Sequence, residues 1–112
     1  MHPQPIIIET VRAAVLAGQW AMTRHARERA GKRRIKDGVV ALALARGEIL
    51  EDYPSDPRGP SVLVLGYVGE GQPIHAVCAF DPSGTLLIIT VYEPGLPRWL
   101  DERTRSYGGA EP

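Results

Sequence analysis

Seven consecutive residues, Pro54-Ser55-Asp56-Pro57-Arg58-Gly59-Pro60, divide this chain into two parts with different periodicities. Three prolines and a glycine so close together remove backbone donors and fix φ, so regular structure must stop there. Upstream, apolar residues recur at helical spacing. Ile7, Val11, Ala14 and Val15 predict a helix over 6–17 that starts after Pro5, carries Glu9 in its first turn and stops at Gly18. Thr23 is a good N-cap for a second helix over 24–33, with Ala26 and Ala30 as a narrow apolar stripe and Ile35 entering the core at its end. Asp37 opens a third helix whose buried side is Val40, Leu44 and the alanines between them, with Gly47 as its C′ stop. Residues 48–53 read as a short edge strand. Downstream the pattern is that of strands, over 61–68, 74–80 and 85–92. The turns between them are Gly69-Glu70-Gly71-Gln72 and Asp81-Pro82-Ser83-Gly84, and Pro94, Gly95 and Pro97 end the last strand.

Helices followed by strands on short turns give an α+β fold. The expectation is N-terminal helices packed on one face of a C-terminal antiparallel β-sheet of about four strands, with the other face at least partly open and available for function. A chain of 112 residues builds one hydrophobic core, so a single domain is expected, its core at 6–105 and a disordered tail over 106–112. Trp99 is expected to fold back over the sheet, or else to stack a base.

Thirteen basic and thirteen acidic residues balance, so net charge makes no case for nucleic acid or membrane. Three isoleucines near the N-terminus are too short a run for a signal peptide or a membrane span. The one cysteine, Cys78, points to a reducing compartment and a cytoplasmic location, and reads as a small buried residue. One cysteine and three scattered histidines do not make a metal ligand set, and no phosphate loop or nucleotide fingerprint is present; no cofactor is expected.

Local charge is more informative. Arg24, Arg27, Arg29, Lys32, Arg33, Arg34 and Lys36 place seven of the thirteen basic residues within thirteen positions. A phosphate backbone suits such a face, and so does plain solvation of a charged helix. His25 and Arg29 stand one helical turn apart, with Arg33 a further turn on. Histidine titrates near neutrality, and a neighbouring arginine favours the neutral imidazole that a general base requires. His75 begins an apolar strand, on the same face as Val77 and Ala79, with Ile74, Ala76, Cys78 and Phe80 on the other. In the next strand Leu86, Ile88, Thr90 and Tyr92 are expected to share a face. The turn leaves two registers open: a three-residue loop sets His75 opposite Val91, a four-residue loop opposite Thr90 and diagonal to Tyr92. The Tyr92 phenol suits a phosphate or a base, or is a sheet-edge aromatic in water.

Together these groups satisfy the needs of metal-free RNA cleavage, in which the 2′-hydroxyl is the nucleophile. Histidine serves as base and acid, and arginine holds the charge of the phosphorane. His25, Arg29, His75 and Tyr92 are the candidate catalytic set, and Arg24, Arg27, Lys32, Arg33, Arg34 and Thr90 the candidate nucleic-acid contacts.

Thr23-x-His25-Ala26-x-x-Arg29, Tyr53-Pro54, Pro60-Ser61-x-Leu63-x-Leu65-Gly66, Pro73-Ile74-His75-Ala76-Val77 and Ile88-Ile89-Thr90-Val91-Tyr92-x-Pro94 with Trp99 beyond form a familiar series. Over residues 20–105 the chain resembles the bacterial family known as domain of unknown function 4258. The resemblance implies a layout similar to the RelE-like and MqsR-like mRNA interferases, with a RelE-like or barnase-like RNase fold. It also implies a type II toxin-antitoxin setting, mRNA as substrate either free or on the ribosome, and a zinc-finger antitoxin of the MqsA type as partner. The matched polar positions are His25, Arg29, His75, Thr90 and Tyr92. The expectation is therefore a toxin-like endoribonuclease, with a non-catalytic RNA- or protein-binding module, or a degenerate toxin that keeps only the fold, as the alternatives.

Overall fold

In a computed structural model, which describes residues 5–106, helix α1 (Ile8–Leu16) ends where Gly18 takes a φ of +72°. The Gly18 and Gln19 amides bond back to the Val15 and Ala14 carbonyls, a helix stop that needs a left-handed residue at that position. The reversal throws the chain straight into a strand, β1 (Trp20–Met22). Helices α2 (Arg24–Lys32) and α3 (Asp37–Ala45) follow, then strands β2 (Glu48–Tyr53), β3 (Ser61–Val68), β4 (Gln72–Phe80) and β5 (Leu86–Tyr92). Residues 1–4 and 107–112 lie outside the described residues, and with them all but the first residue of the tail expected to be disordered. Ser106 itself is held, its amide bonded to the Arg98 carbonyl.

The fold is α+β, but the sheet departs from expectation in number and direction. It has five strands in the order β1-β5-β4-β3-β2 and is mixed, because β1 pairs parallel to β5. The other neighbours are antiparallel. Three residues are too few to show an alternating pattern, so β1 leaves no sequence signal of its own. It exists because the Leu86 amide bonds to the Gln19 carbonyl and the Thr23 amide to the Ile88 carbonyl.

One face of the sheet carries Val62, Val64, Ile74, Ala76, Cys78, Leu86, Ile88 and Val91, all at most 1 % exposed, and packs against Val11, Ala26, Ala30, Val40 and Leu44 of the helices. Each large aliphatic side chain buried this way contributes about 1.5–3 kcal/mol. Helix α3 comes unusually close to β3. A Cβ on Gly66 would stand 2.6 Å from the Ala43 carbonyl oxygen, and one on Gly47 would stand 2.1 Å from that of Leu65. Gly47 follows the helix as expected, yet proximity, and not a left-handed backbone, is what requires it there. The first helix begins at Ile8, later than expected, since Ile6 drops into the core before the first turn. No helix among the described residues is long and apolar enough to cross a membrane.

Helix α2 ends with the same reversal as α1. The Arg34 and Ile35 amides bond to the Gly31 and Ala30 carbonyls, and Arg34 occupies the left-handed position at φ +58°. Ile35 is thereby turned toward the core, as its place in the sequence suggested.

The candidate site on the second sheet face

The register between β4 and β5 contains an irregularity that builds the site. Val77 pairs with Thr90 but Cys78 pairs with Ile88, so Ile89 is an extra residue, a β-bulge. Its carbonyl accepts a hydrogen bond from the Thr23 hydroxyl at 2.7 Å, while the Thr23 hydroxyl oxygen accepts the Ala26 amide at 3.1 Å and caps α2. The bulge changes the phase of β5. Leu86 and Ile88 face the helices, whereas Thr90 and Tyr92 face the opposite side; the single shared face expected for these four residues is broken. His75 lies directly across from Tyr92, in neither of the two registers that the turn length offered.

Two cross-strand rows follow on this second face. Leu65, His75 and Tyr92 are consecutive partners in one, and Leu63, Val77 and Thr90 in the next. Glu48 and Glu51 extend them across β2. After β5 the chain returns over the first row as a strap, residues 93–106. Trp99 is 2 % exposed and meets the His75 ring edge-on at 4.4 Å between centroids, so it does fold back over the sheet. Arg105 lies over the Trp99 ring at 4.4 Å and makes two hydrogen bonds to Glu51, at 2.7 and 3.0 Å. Arg103 grips Glu48 in the same bidentate way. Tyr53 donates its hydroxyl proton to Glu51, and Tyr67 donates to Glu102.

His75 is fully buried, and both ring nitrogens are engaged. Nε2 stands 2.8 Å from the Glu102 carbonyl oxygen. A carbonyl only accepts, so Nε2 carries the proton and Nδ1 of the neutral ring is an acceptor. The Tyr92 hydroxyl, 3.1 Å from Nδ1, donates to it. Burial holds the His75 pKa below its ordinary 6.5, opposed by the bond to the Glu102 carbonyl and by the nearby charge of Glu51. Burial raises the Tyr92 pKa. The pair is therefore a neutral phenol bonded to a neutral imidazole at pH 7. Desolvation also pushes the Cys78 thiol up to about 12, which leaves it a packing residue as read from sequence.

In the second row Leu63 is buried, while Val77 and Thr90 stay half-buried beside the strap. A cleft of about 460 Å³ opens there, with Leu63, Val77 and Thr90 among its lining, and Arg29, Tyr92 and Arg98 around them. Of the sequence-predicted residues, Arg29, Thr90 and Tyr92 meet in this cleft. His75 lies directly behind Tyr92, within hydrogen-bonding distance of it. His25 does not join them: it is exposed on α2, one turn before Arg29, and does not line the cleft.

Three residues of the basic segment are paired. Arg24 bonds Glu28, Arg27 bonds Asp37 at the start of α3, and Arg33 bonds Glu93 at 2.6 Å. Lys32 and Arg34 are exposed. Among the described residues neither Arg29 nor Arg98 has an ion-pair partner, so two uncompensated guanidinium groups border the cleft. Arg98, Arg105, Glu51 and the Glu102 carbonyl were not among the residues read as functional. The signal available for them was a tryptophan among basic residues in the last stretch of sequence.

A family model described as Domain of unknown function (DUF4258) matches residues 22–93. The match takes in α2 through β5 and leaves out α1 and nearly all of the strap. No curated protein and no solved structure matches the chain.

Proposed function

Since the chain belongs to the DUF4258 family, a domain of unknown function, its reaction must be read from its own residues, and we propose that it is a toxin-like, metal-independent endoribonuclease, an mRNA interferase. The observation that carries this reading is Tyr92, which lines a cleft bordered by two arginines without an ion-pair partner among the described residues and whose hydroxyl is hydrogen-bonded to a buried neutral imidazole.

In the proposed reaction, the substrate 2′-hydroxyl gives its proton to the Tyr92 oxygen as the Tyr92 proton passes to Nδ1 of His75. The 2′-oxygen forms its bond to phosphorus, and Arg29 and Arg98 hold the charge on the phosphoryl oxygens. His75 then returns its proton through Tyr92 to the departing 5′-oxygen as the P–O5′ bond breaks. The products are a 2′,3′-cyclic phosphate and a 5′-hydroxyl end, and the proton count balances. Tyr92 is the catalytic residue in this scheme and His75 a positioning residue that acts through it; His25 is given no step. A RelE-like or barnase-like relation fits helices on one side of a sheet and a cleft on the other. A zinc-finger antitoxin is the partner that the reading calls for, and Arg24, Arg27 and Lys32 on α2, with Arg33 and Arg34 just beyond its end, are the contacts proposed for RNA, free or on the ribosome.

One observation favours the alternative of a non-catalytic RNA- or protein-binding module: neither nitrogen of His75 is free to meet a substrate. Tight induction in a bacterial host with primer-extension mapping separates the two. Growth arrest with new discrete RNA ends, both lost in Tyr92→Phe and Arg29→Ala variants that remain folded, supports the ribonuclease. Unchanged RNA from verified folded protein overturns it and leaves the binding module.

A further inference from the structure

The cleft is larger and less polar than phosphate binding alone requires. Its floor is the row Leu63, Val77, Thr90, aligned by direct cross-strand pairing on β3, β4 and β5. Leu63 is only 1 % exposed, so a ligand meets chiefly the half-buried Val77 and Thr90. The Tyr53 and Tyr92 side chains line the same cleft, Tyr53 from β2 beside that floor and Tyr92 from β5, two residues past Thr90. Tyr53 is held by its bond to Glu51, which Arg105 holds in turn. Among the described residues that line the cleft, Arg29 on α2 and Arg98 on the strap are the cations without an ion-pair partner.

Small-molecule sites combine an apolar body with a few placed polar groups in this way, in cavities of comparable size. A flat ring that is apolar on its faces and polar at its edge, attached to an anion, matches the lining group by group. Resting on the ribonuclease reading, we propose that the cleft seats one unpaired nucleobase over the Val77–Thr90 floor between Tyr53 and Tyr92, with its phosphate at Arg29 and Arg98. Thr90 offers a hydroxyl to the base edge, and the phenol rings offer surfaces on which a base stacks whatever its identity. A paired base keeps its faces inside the helical stack and cannot enter, so the substrate is single-stranded at the recognised position.

Calorimetric titration of the full chain tests this with adenosine and cytidine 5′-monophosphates against ribose 5-phosphate. Stacking on aromatic side chains predicts that the nucleotides bind about tenfold tighter than the sugar phosphate, or better. Val77→Phe, which fills the floor, abolishes that margin and leaves sugar-phosphate binding intact; Tyr53→Leu reduces the margin from a different strand should the first variant not fold. An RNA oligonucleotide binds more tightly single-stranded than as a duplex. Equal affinity for nucleotide and sugar phosphate, or for duplex and single strand, overturns the base seat while the phosphate reading stands. Failure of every probe to bind, with no cleavage of RNA, sinks both.

Discussion

The Tyr92 hydroxyl donates to Nδ1 of His75 at 3.1 Å, and its direction is fixed from behind, because the Glu102 carbonyl claims the only proton on the imidazole. A phenol that donates in this way keeps acceptor capacity on its oxygen.

Removing that hydroxyl tests its use. Tyr92→Phe keeps the ring and its edge contact with His75, and should cost about 1 kcal/mol of stability for one hydrogen bond. RNA cleavage should fall by about 10²-fold or more, the size of a lost proton-transfer group. A folded Phe variant that cleaves at the wild-type rate would remove Tyr92 from the chemistry.

The His75 pKa is lowered on folding, so the neutral ring is the form that the fold favours. Its contribution to stability is complete above its ordinary value of 6.5 and is lost as pH falls through the lower folded value. Melting temperature should therefore decline below pH 6.5, before the lowered carboxylates Glu48 and Glu51 begin to protonate, and His75→Asn should flatten that first decline. The imidazolium cannot accept from Tyr92, so cleavage should lose its activity over the same acidic range in the wild type. In the Asn variant the residual rate should show no such limb. A purely structural histidine would move the melting curve and leave the shape of the rate profile alone.

Two arginines fasten the strap, and they should differ in importance. Arg105 is shielded, bonds Glu51 twice and covers Trp99, so Arg105→Ala should cost about 2 kcal/mol. Arg103 makes a similar pair with Glu48 at an exposed position, where water and salt screen it, and Arg103→Ala should shift stability less. Denaturant titrations of the two variants check the order.

Arg34 holds a conformation that side chains with a Cβ disfavour by about 1 kcal/mol or slightly more. Arg34→Gly should stabilise the fold by an amount of that order, while removing a cation from the face proposed for RNA. Greater thermal stability with weaker RNA binding is the expected result; an unstable Gly variant would mean that the side chain contributes contacts which outweigh the backbone.

Gly66 tests the close approach of α3. In Gly66→Ala the new methyl meets the Ala43 carbonyl, which is backbone and cannot swing aside. A loss of about 1–3 kcal/mol in chemical denaturation is expected.

Helix α2 was legible almost to the residue because Thr23 caps it and Ala26 and Ala30 mark its buried stripe, both local features. Strands β3 and β4 were legible through their apolar, Val- and Leu-rich runs and their glycine turns. What escaped reading depends on contacts distant in sequence. Strand β1 is three residues long and is defined by β5, some 66 positions later. The pairing of His75 with Tyr92 turned on one extra residue in β5, and Ile88-Ile89 carries no mark of which isoleucine is bulged. Ile89 is the bulged residue, and Thr23, 66 positions earlier, satisfies its carbonyl. Arg29, Thr90 and Tyr92, singled out from their types and positions, line one cleft. The expected meeting of two histidines did not occur, since His25 belongs to the exposed side of a helix and His75 to a buried sheet row.

The strap also sets an order in time. The residues that face the cleft from α2 and the sheet leave the ribosome before Trp99, Glu102 and Arg105 do. Until those three dock, His75 has neither its carbonyl partner nor its aromatic cover, and water competes for both ring nitrogens. The nascent chain thus carries the sheet and its tyrosine without the buried imidazole that gives the tyrosine a direction, and the site matures only once the strap has docked.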